Sequence, residues 1–348
     1  MKKNVFLILV VFALIGFISC TKEDKRTLNI KVVSPDGAPL LSLAKVWTDN
    51  ETILDDYTVD YQKLSGADDL TAQLLSKEPD FAIAPINIAA KVYNDGLGYL
   101  FAGVSIWGIM HIVSNQNIQS LSELKGENVF AFAKAGTPGI TIRSILSQNN
   151  IEFTENIDGS KEAGKVNIIY LADAANVREA IIVGKLNNID VKFALLPEPV
   201  ATAIAGATLS SPHGSYSAKI NLETEWKNKN NGSSYPQAGL IFHERLLKND
   251  KAFVDKFIEA VKESTTWAFN NPEEAGNLAK NTLLSTGIPN GTVVKAAVLA
   301  GRLNLSFLEA SLSKESVNNY LTIIKNDNAN SINLIGGKLP RDEFYYQK

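Results

Sequence analysis

Four times along this chain a short apolar run ends at or near a proline that opens an amphipathic stretch, and this recurrence limits the available folds more than any other feature. Leu28 to Val33 (LNIKVV) stops at Ser34-Pro35-Asp36-Gly37, and Pro39 then precedes Leu40, Leu43, Ala44 and Trp47 at helical spacing. Asp80 to Ala84 (DFAIA) runs into Pro85, with Ile86, Ala89, Ala90 and Tyr93 on one helical face. Val129 to Ala133 (VFAFA) leads through Lys134-Ala135-Gly136-Thr137 to Pro138, where Thr137 suits an N-cap and proline a first helical position. Phe193 to Leu196 (FALL) enters Pro197-Glu198-Pro199 and the helix Val200 to Ala205. Strands alternating with helices predict an α/β fold of mostly parallel sheets flanked by helices, with a binding crevice on the loops past the strand C-terminal ends. The first N–H groups of each helix lack internal partners, so these ends suit anions or carbonyl-type acceptors.

A chain of 348 residues with 45% hydrophobic content predicts two lobes at ~100–200 residues per domain. Asp69 to Ala84 and Asn176 to Leu196 repeat one plan of helix, short turn, aspartate and strand, as two lobes built alike would. Between them Tyr99 to Val113 is one long apolar stretch broken at Trp107-Gly108, which reads as a strand crossing from one lobe to the other. Ser120 to Glu123 has capping-box spacing and Gly126 ends that turn. The polar stretch Asn221 to Ser234 reads as an exposed loop, and Tyr235 to Phe242 returns as a strand. Phe253, Phe257, Val261 and Ala268 share a helical face, and the C-terminal third reads as helical packing with little chemistry. The expected lobes are 28–108 with 236–348, and 109–235.

Residues 1–19 have the form of a signal peptide: Lys2 and Lys3, then an apolar run from Val5 to Ile15. Phe17-Ile18-Ser19-Cys20 resembles the bacterial lipobox, with Phe17 where Leu is more usual, and this implies cleavage before Cys20 and its acylation. Residues 20–27 would then be a lipidated tether to the membrane, with the globule extracytoplasmic. An ordinary secretion signal with an incidental thiol, or a single membrane anchor, is the alternative.

Cys20 is the only cysteine, so neither an internal disulfide nor a cysteine-held metal cluster is expected. His111, His213 and His243 stand apart without metal-ligand spacing, and no metal or cofactor is expected. A formal charge of −3 with no basic block disfavours nucleic acid. Gly-x-Ser-x-Gly, phosphate-loop and His-Glu-x-x-His patterns do not occur.

The order of Pro35-Asp36-Gly37-Ala38-Pro39, Asp80-Phe81-Ala82-Ile83-Ala84-Pro85, Trp107-Gly108, Ser120 to Gly126, Thr137-Pro138-Gly139, Glu198-Pro199 and Tyr235-Pro236-Gln237-Ala238-Gly239 resembles one family. It is similar to the extracytoplasmic solute-binding proteins of ABC importers, in the branch of nitrate, sulfonate and thiamine-precursor binders. The resemblance implies a type 2 periplasmic-binding-protein fold, two lobes joined by two crossing segments and closing over one ligand. It also implies a permease with its ATPase as partner, a monomer, and no catalysis. The pyrimidine synthases that share this fold carry a cysteine-rich motif that this chain lacks.

On that resemblance Asp36, Gly37, Ala38, Pro85, Asn87, Trp107, Gly136, Thr137, Glu198 and Gln237 are the candidate ligand contacts. Trp107 offers a stacking face or hinge-region core, Asn87 an amide that donates and accepts, and Thr137 a hydroxyl or a plain N-cap. Glu198 offers a ligand contact or a helix-capping carboxylate. Asp36 and Glu198 against Lys134 as the one added cation fit a polar heterocycle better than a bare oxyanion. Two other functions stay open: an enzyme on this scaffold with Glu198 as general base, and a ligand-sensing receptor subunit.

Overall fold

The computed structural model describes residues 28–49, 57–206, 214–327 and 330–348. The expected signal peptide, the tether with Cys20, and His213 lie outside these residues. In chain order the strands are β1 (Leu28–Pro35), β2 (Tyr57–Leu64), β3 (Phe81–Pro85), β4 (Tyr99–Trp107), β5 (Met110–Ser114), β6 (Asn128–Phe132), β7 (Phe153–Thr154), β8 (Val166–Leu171), β9 (Lys185–Leu186), β10 (Ile189–Asp190), β11 (Phe193–Pro197), β12 (Ser217–Asn221), β13 (Pro236–His243) and β14 (Asn304–Glu309). One sheet has the order β14-β4-β13-β3-β1-β2 and a second the order β12-β5-β11-β6-β8-β7, while β9 and β10 form a small hairpin. Helices cover the sheets, so central strands are buried along their whole length, as Phe81 to Ala84 and Asn128 to Phe132 are.

Parallel pairing links β3-β1-β2 in the first sheet and β11-β6-β8-β7 in the second. β4, β13 and β14 pair antiparallel, as do β5 and β12 with their neighbours. The first sheet is therefore mixed rather than mostly parallel. Strand-to-helix junctions signal only the parallel pairs; β5 and β13, which receive the chain from the other sheet, run against both of their neighbours, and their own residues do not mark that direction. Pro39 also opens less helix than its spacing predicts, two short pieces at Ala38–Leu41 and Ala44–Thr48.

The run from Tyr99 to Val113 divides at Gly108, β4 joining the first sheet and β5 the second. The return passage at Tyr235 lies directly alongside: the Gly108 N–H donates to the Tyr235 carbonyl at 3.1 Å, and the Met110 N–H to its phenol oxygen at 3.2 Å. A side chain at position 108 would press on Glu223 and on the Tyr235 ring, which is why glycine stands there.

Residues 221–234 correct the expected loop, because Leu222–Lys229 is a helix. Asn221 Oδ1 accepts from the Glu223 N–H at 2.8 Å, Glu223 and Glu225 occupy the first turn, and Lys227 and Lys229 the last. Leu222 and Trp226, four apart, bury one face of an otherwise polar helix. Trp226 packs edge-on against both Tyr235 and Tyr320, each at 5.5 Å, and the two tyrosines stack at 6.0 Å. Tyr320 belongs to the helix Ala310–Asp327, whose Asp327 also pairs with Arg143 at 3.0 Å. The C-terminal third thus reaches the second lobe and is more than packing.

Candidate functional site

Three of the four strand-to-helix junctions meet at the passages between the sheets. At the end of β3, Pro85 pairs with Ala238 beside the return passage, and Asn87 sits in the first turn of the helix Ile86–Asn94, 3% exposed. At the end of β6, Gly136 is the N-cap and Thr137 the first residue of the helix Thr137–Gln148. This corrects the expected N-cap by one position: the helix begins before Pro138, so the Thr137 hydroxyl makes no capping bond. It donates instead across the lobes to Asn87 Oδ1 at 3.2 Å, and Thr137 is 1% exposed. The Gly136 N–H donates to the Ala133 carbonyl at 2.8 Å, which keeps that loop tight.

At the end of β11 the Glu198 N–H donates to the Ile109 carbonyl at 2.9 Å, tying the junction to the first passage. Its carboxylate is 1% exposed as a residue and fully engaged. Oε2 accepts from the Thr202 N–H at 3.0 Å and Oε1 from Arg302 Nε at 2.9 Å, while Arg302 Nη2 donates to Thr202 Oγ1 at 2.7 Å. Burial raises the Glu198 pKa above its ordinary value, and the bonds from Thr202 and Arg302 only partly oppose this. A carboxylate held this way is not free to take a proton from a substrate. No local signal marks Arg302 as part of this site: it lies 104 positions from its partner, in the helical C-terminal third.

Other candidates are committed to their surroundings. Asp36 anchors a distant loop: its carboxylate accepts from the Ser285 hydroxyl, from the Thr286 N–H at 2.8 Å and hydroxyl at 2.6 Å, and from the Gly287 N–H at 3.1 Å. Burial raises its pKa, but these bonds outweigh burial and lower it overall. Gly37 takes the left-handed φ of +95°, and Ala38 is buried. The Trp107 indole donates to the Ser306 carbonyl at 2.8 Å, so the ring is fixed against β14. Lys134 pairs with Glu155 and lies over the Tyr170 ring. Gln237 sits at a bulge of β13, between the paired Pro236 and Ala238, and its Oε1 is buried without a partner. His111 Nδ1 lies 3.2 Å from the Ile109 carbonyl, Nε2 has no partner, and burial, with Arg302 adding, lowers its pKa to about 4. Among the described residues no group of three His, Cys, Asp or Glu could hold a metal, and no helix is long and apolar enough to cross a membrane.

A family described as NMT1/THI5 like matches residues 58–275, more than half of the chain. The chain belongs to that family. No curated protein sequence is a significant match. Solved structures share the fold over nearly the whole length. An ABC transporter protein from Parabacteroides distasonis superposes with a TM-score of 0.70 at 22% identity, covering 92% of this chain and 99% of that one. The ligand-binding component of an ABC-type import system from Staphylococcus aureus, with zinc bound, gives 0.64 at 13% identity, covering 92% and 97%. The alkanesulfonate-binding protein of Xanthomonas axonopodis pv. citri, bound to MOPS, gives 0.62 at 13% identity over the same shares. These neighbours are described as transport or ligand-binding proteins, and this member of the NMT1/THI5-like family shares their fold, here a mixed α/β architecture of two six-stranded sheets.

Proposed function

We propose that this chain is the solute-binding component of an ABC import system, which captures a small polar solute between two lobes and delivers it to a permease with its ATPase. The lobes are residues 28–108 with 236–348, and 109–235. One observation carries the reading: Thr137 of one lobe bonds to Asn87 of the other just past Pro85, Pro85 pairs with Ala238, and the adjacent Gln237 has a buried amide oxygen without a partner. An unpaired buried acceptor is costly, and a ligand N–H or O–H would satisfy it. Lys134 and Arg302 are each paired with a carboxylate, which favours a neutral polar solute over a bare oxyanion or sulfonate. The lipobox-like run ending at Cys20 supports anchoring outside the cytoplasmic membrane.

Mass spectrometry of small molecules released from the purified, denatured protein identifies the solute. With it in hand, Asn87→Ala and Gln237→Ala each weaken calorimetric binding by about 0.5–1.5 kcal/mol, a few-fold to tenfold in Kd. Wild-type affinity in both folded variants would move the site elsewhere, and a protein that neither releases nor binds any solute would end the capture reading. For the anchor, wild type partitions into detergent, and Cys20→Ser either leaves that phase or stays unprocessed; a processed Cys20→Ser protein still on membranes would rule the lipid out.

A further inference from the structure

Arg302 lies in the turn between the helix Gly291–Leu299 and β14, so it is carried by the first sheet. The turn is well fixed: the N–H groups of Arg302 and Leu303 both donate to the Ala297 carbonyl, at 3.0 and 3.3 Å. Glu198 and Thr202 follow β11 and are carried by the second sheet. The helix Gly291–Leu299 packs against the helix Val200–Gly206 at the same place. The guanidinium thus makes two donations from one lobe to the other, to Glu198 Oε1 at 2.9 Å and to Thr202 Oγ1 at 2.7 Å.

The two ends of this bridge differ. The Glu198 side chain has no solvent exposure, whereas that of Arg302 is 29% exposed. Arg302 keeps partial hydration when the lobes are together, while Glu198 depends on its partners for every bond it makes. Both donations require the lobes to be adjacent, so they add free energy to the closed arrangement alone, the condition for biasing a two-state equilibrium. The cross-lobe bond from Thr137 to Asn87 is a single contact between neutral groups and restrains less, and the other charged crossing, Arg143 to Asp327 at 3.0 Å, is buried at both ends and lies on the C-terminal helix rather than at a strand-end junction.

We propose that Arg302 is a clasp of the closed state, a positioning residue that helps set how readily the lobes part and so how tightly a captured solute is held. The inference rests on the capture reading only in needing two lobes that open. Arg302 touches the solute nowhere in this scheme; it acts through Glu198 and Thr202.

The test is a pair of spin labels on the full chain carrying Cys20→Ser, which leaves no native cysteine. Ala72→Cys and Glu179→Cys place one label on an exposed helical position of each lobe. Distances by double electron–electron resonance give one dominant population in the unmodified background. Arg302→Gln adds a longer-distance population, raising the open-to-closed ratio about tenfold or more. Glu198→Gln, which strands no buried charge, shifts the ratio the same way to a smaller extent and stands in if Arg302→Gln fails to fold. Arg245→Gln breaks the Arg245–Asp80 pair at 2.8 Å inside the first lobe, so it lowers melting and leaves the distances alone. Unchanged distances in folded Arg302→Gln and Glu198→Gln overturn the clasp, and so does an equal shift in Arg245→Gln. Solute release separates the two readings: a bound solute with unmoved distances removes the clasp and keeps capture, while moved distances with no solute keep the clasp and remove capture.

Discussion

His111 shows what burial does to a single residue beside the passages. One ring nitrogen faces the Ile109 carbonyl and the other has no partner, and burial takes the pKa from an ordinary 6.5 to about 4. Between those values the unfolded chain binds a proton that the folded chain does not, so stability falls as pH drops through this window. His111→Asn should flatten that slope, measured as melting temperature against pH; an equally steep decline in the variant would assign the acid sensitivity elsewhere. Asp36 acts in the same direction for the opposite cause, since its bonds favour the charged form: its lowered pKa gives stability that is present above the ordinary value and lost as pH falls through the folded one. Residue types at the junctions are readable from sequence, because prolines and glycines mark turns by their own backbone limits. Their partners are not, since Asp36 finds Thr286 at a separation of 250 positions and Glu198 finds Arg302 at 104.

At the scale of elements, the junctions were legible because a strand followed by a proline-started helix is a local signal. The helix Leu222–Lys229 was not, because its polar, Asn-rich residues resemble a loop until the caps and the spacing of Leu222 and Trp226 are read together. Its stability comes from tertiary contact, as expected for eight residues that could not hold a helix alone. Trp226 supplies that contact through Tyr235 and Tyr320, joining this helix, the return passage and the C-terminal helix. Trp226→Ala should cost about 3–5 kcal/mol, as large aromatic truncations in cores do, and should weaken the near-ultraviolet dichroism of the cluster. A melting temperature within a degree or two of wild type would mean that the three elements hold together without it. The antiparallel pairs were unreadable for a different reason: β13 comes back from the second sheet and inserts between β3 and β4, which run the same way, and its own residues do not mark that placement.

For the whole molecule, the two sheets are separate layers joined where Gly108 and Tyr235 run side by side, so relative rotation of the lobes need strain only a few backbone torsions. Apart from the aromatic packing of Trp226 on Tyr320, the contacts between the lobes include polar ones: Thr137 to Asn87, Thr141 to Tyr320, Arg302 to Glu198 and Thr202, and Arg143 to Asp327. The polar contacts give way more easily than a core does, because their groups can exchange partners for water, while the aromatic cluster lies beside the return passage, where rotation displaces least. A solute that bonds to both lobes favours the closed arrangement by its differential affinity for it. Adding the solute identified by mass spectrometry should therefore reduce the radius of gyration in solution scattering. At a hundred times Kd it should also stabilise the fold by about 2.7 kcal/mol through mass action. The two readouts separate binding from closure. A raised melting temperature with an unchanged radius would place the solute on one lobe only, and the buried Gln237 oxygen would then need another partner than a ligand held between the lobes.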